Sequence, residues 1–190
     1  PQEWEKDFLG GASLAARILY DTLTAALNPL EPESPLLFMT GPLTGTSGPT
    51  TGRFVICGKS PATGLWAESN MGGFWGPELR AAGYDGLWIT GKATAPVYLW
   101  VENNRLEVKK AAHLWGTNTY SAQDKIKEEV GVKSARVCVI GQAGEKQVLF
   151  ASIMCDHGRM AGRTGMGAVM GSKNLKAIAV HGESEIPIFI

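Results

Sequence analysis

The stretch "GRMAGRTGMGAVMGSKN", residues 158–174, constrains the fold of this chain more than any other. It sets five glycines, two arginines and a lysine beside the alanines and methionines of a helix. A glycine-rich run leading into a helix leaves backbone N–H groups without intrahelical partners, which suits an anion. Two phosphate motifs were tested against it. The dinucleotide pattern G-x-G-x-x-G fits Gly165 and Gly167 but meets Met170 where its last glycine belongs. The P-loop needs lysine directly after its second glycine, whereas Ser172 separates Gly171 from Lys173. The anion reading stands without either nucleotide motif.

Charge narrows the ligand further. Eighteen basic and 18 acidic side chains are interspersed, so no basic field exists to bind nucleic acid or an anionic membrane. No apolar run approaches the roughly 20 residues of a membrane span, and the start, "PQEWEKDFLGG", lacks a signal-peptide pattern. A soluble, cytoplasmic protein with neither partner is expected. Cys57, Cys138 and Cys155 are widely spaced in apolar sequence and read as buried thiols of a reducing compartment. With no C-x-x-C pair, they offer no metal or cluster cage. Both ends read as cuts, so residues 1–190 are expected to be one domain from a longer chain.

Apolar spacing over 13–27 predicts a packing helix ended by Asn28-Pro29. Strands are predicted at "PLLFMT", "RFVICG", "GLWIT", "PVYLWVE", "RLEVKK", "ARVCVIG", "QVLFASIM" and "KAIAVHG". Asn103-Asn104 should turn a hairpin, and residues 121–130 should form a surface helix capped by Ser121 and ended by Gly131. Strands outnumber helices without regular alternation, so the expected class is α+β with short packing helices. "LFMTGPLTG" and "VCVIGQAGE" each run from an apolar strand into a glycine turn, a trace of internal duplication into two related β-sheet units.

Three glycine-rich segments share one chemistry: 41–53 ending in Arg53, 69–77 carrying Asn70, and 158–174 carrying Arg159 and Arg163. Glycine admits close backbone approach and arginine matches phosphate bidentately, so together they could cradle a large phosphorylated cofactor. The bland alternative is that the glycines serve turns and the arginines sit in solvent.

The segments "TGPLTGTSGPTTGRF", "ESNMGGFWGPELRAAGYDGLWITGKA", "AHLWG", "IGQAGE" and "DHGRMAGRTGMGAVMGSKNLKAIAV" together resemble the N-terminal domain of the tungsten-containing aldehyde ferredoxin oxidoreductase family. The resemblance implies an enzyme that oxidises aldehydes to carboxylic acids at a tungsten held by two pterins. Electrons would leave through a [4Fe–4S] cluster, bound outside this segment, to ferredoxin. The domain would form the base for the tungstopterin, with Mg²⁺ bridging the two pterin phosphates. Its partners would be the remaining domains of the chain, ferredoxin, an aldehyde and, in a homodimer, a second copy.

Residue by residue, the resemblance implies that Arg53 bonds both pterin and cluster. It makes the side-chain oxygen of Asn70 and the backbone carbonyl of Met160 ligands of Mg²⁺. Gly72 would lie close to a pterin, while Arg159, Gly162 and Arg163 would form the phosphate loop. No residue here is assigned a catalytic role. Thr164 departs from the family's usual glycine, and a left-handed backbone there would be strained. His113 reads as packed or capping, His157 as a neighbour of the phosphate loop, and Phe74 and Trp75 as core or, less favoured, pterin-packing aromatics. Competing readings are a non-catalytic module for another phosphorylated ligand and a family relative acting on a non-aldehyde substrate.

Overall fold

In a computed structural model of the protein, residues 2–186 are described. Helix α1 (Gln2–Phe8) leads into α2 (Gly11–Thr22), and a first sheet follows from β1 (Leu36–Thr40), β2 (Phe54–Lys59), β3 (Trp66–Met71) and β4 (Gly86–Ile89). Helix α3 (Trp75–Ala81) stands between β3 and β4. Strands β5 (Val97–Glu102) and β6 (Arg105–Lys110) form the hairpin, with Asn103 and Asn104 at φ 44° and 66° as its turn requires. A 3₁₀ turn (Ala112–Leu114) precedes α4 (Thr119–Val130), β7 (Arg136–Val139), α5 (Gln142–Glu145), β8 (Ile153–Cys155), β9 (Arg159–Ala161), α6 (Met166–Ser172) and β10 (Leu175–His181).

The two sheets repeat one topology. The first has the order β3-β2-β1-β4, and the second contains β9-β8-β7-β10, with every one of these pairs antiparallel. In both, a helix sits between the third and fourth strands and another precedes the first strand. The β5–β6 hairpin is an addition that joins β10 through a parallel pairing. The "LFMTGPLTG" and "VCVIGQAGE" echo falls on β1 and β7, the equivalent first strands. The class is α+β with two related sheet units, as expected.

Both faces of each sheet are covered, which is why β1 and β2 are buried along their whole lengths. Alternation sends Leu36, Phe38, Phe54 and Ile56 into the space between the sheets and Leu37, Met39, Val55 and Cys57 toward α2. On the far side, Val137, Val139, Ala177 and Ala179 pack beneath α4. Trp75 ties the layers together: it is fully buried, its ring lies 5.4 Å from Phe38 and 4.7 Å from Phe54, and its Nε1–H donates to the Ile178 carbonyl at 3.0 Å. Burying such an aromatic contributes about 1.5–3 kcal/mol before the indole hydrogen bond is counted.

Several expectations about elements change. The helix of 13–27 ends at Thr22, and the turn beyond it is held by the buried Lys59 ammonium, which donates to the carbonyls of Ala25 at 2.7 Å and Leu27 at 2.8 Å. Asn118, not Ser121, caps α4: its Oδ1 accepts from the Ser121 N–H at 2.9 Å, while Gly131 ends the helix at φ 74° as read. "QVLFASIM" is strand only from Ile153. Gln147 is left-handed at φ 55°, and the Val148 N–H donates to Ala143 at the end of α5. Among the described residues no helix is long and apolar enough to cross a membrane.

Candidate functional site

The site lies where the three glycine-rich segments meet, at the ends of the third strands. Alternation along β3 turns Ala67, Ser69 and Met71 inward and leaves Glu68 and Asn70 exposed. Asn70 therefore stands on a strand, not in the loop the sequence suggested. Arg159 and Met160 likewise belong to β9, where both are exposed. Asn70 and Met160 hold the same penultimate position in equivalent strands of the two units.

Arg53 binds the first segment to the second. Its Nε–H donates to Asn70 Oδ1 and its Nη2–H to the Asn70 carbonyl at 3.3 Å. Thr44 shapes the loop behind it, donating to the Arg53 carbonyl at 2.8 Å and accepting the Gly41 N–H at 3.0 Å. Gly52 has no room for a side chain: a Cβ there would lie 2.5 Å from the Gly73 carbonyl oxygen. The third segment joins through Ser69, whose Oγ donates to the Gly162 carbonyl at 3.1 Å. It joins also at Gly73, where a Cβ would stand 3.2 Å from Arg159 Cγ. Arg53, Asn70, Gly72, Arg159 and Gly162 thus share one surface, with Met160 and Arg163 exposed beside them.

Arg53, Arg159 and Arg163 are exposed, and among the described residues no carboxylate forms a salt bridge with any of them. A Cβ at Gly158 or Gly162 would meet nothing within 4 Å, so the backbone there is open. Uncompensated guanidinium groups beside bare backbone fit a phosphate-bearing cofactor. One donor is already engaged: Asn70 Oδ1 holds Arg53, so a cation at that oxygen would have to share it.

The glycines of 158–174 divide into two kinds. Gly158 and Gly162 face outward, but Gly165, Gly167 and Gly171 serve packing. A Cβ on Gly165 would come 2.1 Å from the Leu149 carbonyl oxygen, on Gly167 2.5 Å from that of Ser152, and on Gly171 1.9 Å from that of Gly144. More than half of the motif read as a ligand cradle therefore admits α5 and its following turn against α6. Thr164 is not left-handed; Arg163 at φ 71° and Gly165 at φ 81° flank it and take that conformation. The strain expected at a β-branched residue is absent.

Other side chains meet expectation only in part. Trp75 is core, but Phe74 is 61% exposed and stands over the site's edge. His113 is exposed and bonds Glu129 through Nε2. His157 faces α4, with Nε2 3.1 Å from Asp124 Oδ1 and its ring 5.6 Å from that of Tyr120. The three cysteines are buried and unpaired, and burial, aided by Glu68, pushes the Cys57 thiol up to about 12. Asp156 and Arg136 were not singled out in the sequence, though Asp156 accepts the Phe74 N–H at 2.7 Å. The Asp-x-Gly turn of "CDHGR" was its only local signal.

A family description, "Aldehyde ferredoxin oxidoreductase, N-terminal domain", matches residues 1–182. The tungsten-containing aldehyde ferredoxin oxidoreductase of Pyrococcus furiosus is 46% identical over 187 residues, covering 98% of this chain and 31% of that protein. An aliphatic sulfonate oxidoreductase, WOR-like subunit, from the same organism is 39% identical over 198 residues, 96% of this chain and 31% of that protein. The chain thus spans less than a third of the curated relatives it matches. Among solved structures, the active site complex BamBC of benzoyl coenzyme A reductase with 1,5-dienoyl-CoA has a chain that superposes with a TM-score of 0.95 at 40% identity, covering 98% of this chain and 28% of its own. The chain belongs to the aldehyde ferredoxin oxidoreductase family and carries its N-terminal domain.

Proposed function

We propose that this domain is the base of a tungstopterin site in an enzyme that oxidises aldehydes to carboxylic acids. The observation that carries the reading is the convergence of Arg53 and Arg159 on residues 70–73, with exposed Arg163 next to the open backbone of Gly162 and none of the three paired with a carboxylate among the described residues. When bound, the cofactor would supply a metal for two-electron oxidation of the substrate, with a [4Fe–4S] cluster outside this domain as the route to ferredoxin. The domain's own residues bind and orient. Arg159, Gly162 and Arg163 hold phosphate, Gly72 admits the pterin, and Arg53 donates charge-assisted bonds to pterin and cluster. Asn70 and Met160, at equivalent strand positions, would offer oxygens to a Mg²⁺ that favours hard ligands.

A relative acting on another substrate is the second reading. It is favoured by near-equal identity to an aliphatic sulfonate oxidoreductase and a benzoyl coenzyme A reductase component. Elemental and pterin analysis of the full-length protein tests the shared core of both. Stoichiometric tungsten is expected, and Asn70→Leu should lower tungsten and pterin several-fold by removing an oxygen beside two phosphates. Wild-type contents in the variant would take Asn70 out of the metal shell. A full-length protein free of metal and pterin would overturn the tungstopterin reading in favour of a module for another phosphorylated ligand.

A further inference from the structure

We propose that Asp156 is a positioning residue that latches the β3–α3 loop of one unit onto the β8–β9 turn of the other, setting the distance between the two cofactor-facing loops. Its functional half rests on the tungstopterin reading above. The latch itself stands on geometry alone.

The Asp156 side chain is 10% exposed, and its two oxygens have different work. Oδ2 accepts the Phe74 N–H at 2.7 Å, and Oδ1 lies 3.7 Å from Arg136 Nη1. The Arg136 guanidinium in turn covers the Phe74 ring at 4.8 Å from its centroid, so one acid and one base grip the same loop residue from backbone and ring. Gly73 makes the approach possible: it sits at φ 117°, and a Cβ there would be 2.5 Å from Asp156 Oδ2. Asp156 and His157 are consecutive left-handed residues at φ 46° and 51°, a conformation aspartate tolerates better than most.

The loop so held lies between the two arginines that matter. Arg53 Nη1 would be 3.3 Å from a Cβ on Gly72, and Arg159 Cγ 3.2 Å from one on Gly73. Fixing residues 72–74 therefore fixes the backbone against which the Arg53 guanidinium and the Arg159 stem both rest. The equivalent contact in the other half is different in kind. Gly165 abuts Pro61 and the Leu149 carbonyl, with no carboxylate involved. The polar latch belongs to one side only, so it is not demanded by the repeated fold.

Asp156→Ala and Asp156→Asn in the full-length protein separate this role from general stability. Three quantities are read: hydrogen exchange of peptides spanning 72–76, tungsten content, and thermal midpoint. Asp156→Ala should speed exchange at Phe74 at least tenfold and lower tungsten several-fold while moving the midpoint little. Asp156→Asn retains an oxygen acceptor and should restore both exchange protection and metal. Wild-type exchange in the alanine variant would remove the latch. Fast local exchange with full tungsten would remove its positioning role. Faster exchange throughout the domain, or an asparagine variant as impaired as alanine, would show a structural or purely electrostatic role instead. If wild type carries no tungsten, the cofactor reading fails by itself, and exchange at 72–76 still decides the latch.

Discussion

The two sheet units share strand order and helix placement, yet their first loops have opposite fates. Between β1 and β2, residues 41–53 stay irregular, carry no acid, and deliver Arg53 to the site. Between β7 and β8, the corresponding residues fold into α5 and bury an ion pair. There Lys176 Nζ meets Glu145 Oε1 at 2.5 Å with the two side chains 0% and 4% exposed. Glu145 also accepts the Gly116 N–H, and Lys176 donates to the Thr117 carbonyl at 3.1 Å. A repeated scaffold does not repeat its chemistry: one half spends its loop on an open binding surface, the other on packing.

The glycines follow the same division, and they provide the sharpest test. Gly171→Ala places a methyl 1.9 Å from a backbone oxygen, where nothing flexible can yield. It should cost about 4 kcal/mol or more, read as a large fall in soluble yield and thermal midpoint. Gly162→Ala meets open space and should stay within about 0.5 kcal/mol of wild type. Equal effects of the two would break the distinction between packing and ligand-facing glycines.

The buried pair gives the next effect. Glu145→Ala leaves the Lys176 ammonium in the core without its counter-charge, at a cost of about 3–5 kcal/mol. Replacing both partners, Glu145→Gln with Lys176→Met, should recover much of the lost midpoint, because the uncompensated charge is then gone. A single variant as stable as wild type would show that this half does not depend on the pair.

Arg53→Ala should have the smallest effect on stability and a large one on function. Its bonds are to one exposed neighbour, so the midpoint should shift by no more than about 1 kcal/mol's worth. Aldehyde-dependent reduction of ferredoxin by the full-length protein should fall several-fold. Normal turnover at normal metal content would make Arg53 a solvated loop residue and leave the first unit's open loop without its assigned chemistry.

Much of the fold was legible because its signals are local. β1, β2, β4 and the β5–β6 hairpin follow from apolar runs and the Asn103-Asn104 turn, and Gly131 stops α4 as a C-cap glycine does. Failures came where a distant group intervened. α2 stops at Thr22, and Lys59, 32 or more residues on, holds the carbonyls of the turn that replaces its predicted last turn. Residues 147–150 leave the strand pattern because they form the hydrogen-bonded turn that follows α5.

The site shows the same boundary. Residue types alone were enough to propose arginine and glycine as an anion-binding surface, since a guanidinium keeps its charge in any fold and glycine keeps its freedom of approach. Only tertiary structure decided which glycines stay open and which pack against α5 and the turn after it, because a Cβ is excluded by neighbours that lie 15 or more residues away. It also decided that Asn70 points outward, since strand register sets the face and β3 takes its register from β2. The grip of Asp156 on Phe74 joins residues 82 positions apart and exists only because the two sheet units pack against one another around a shared core.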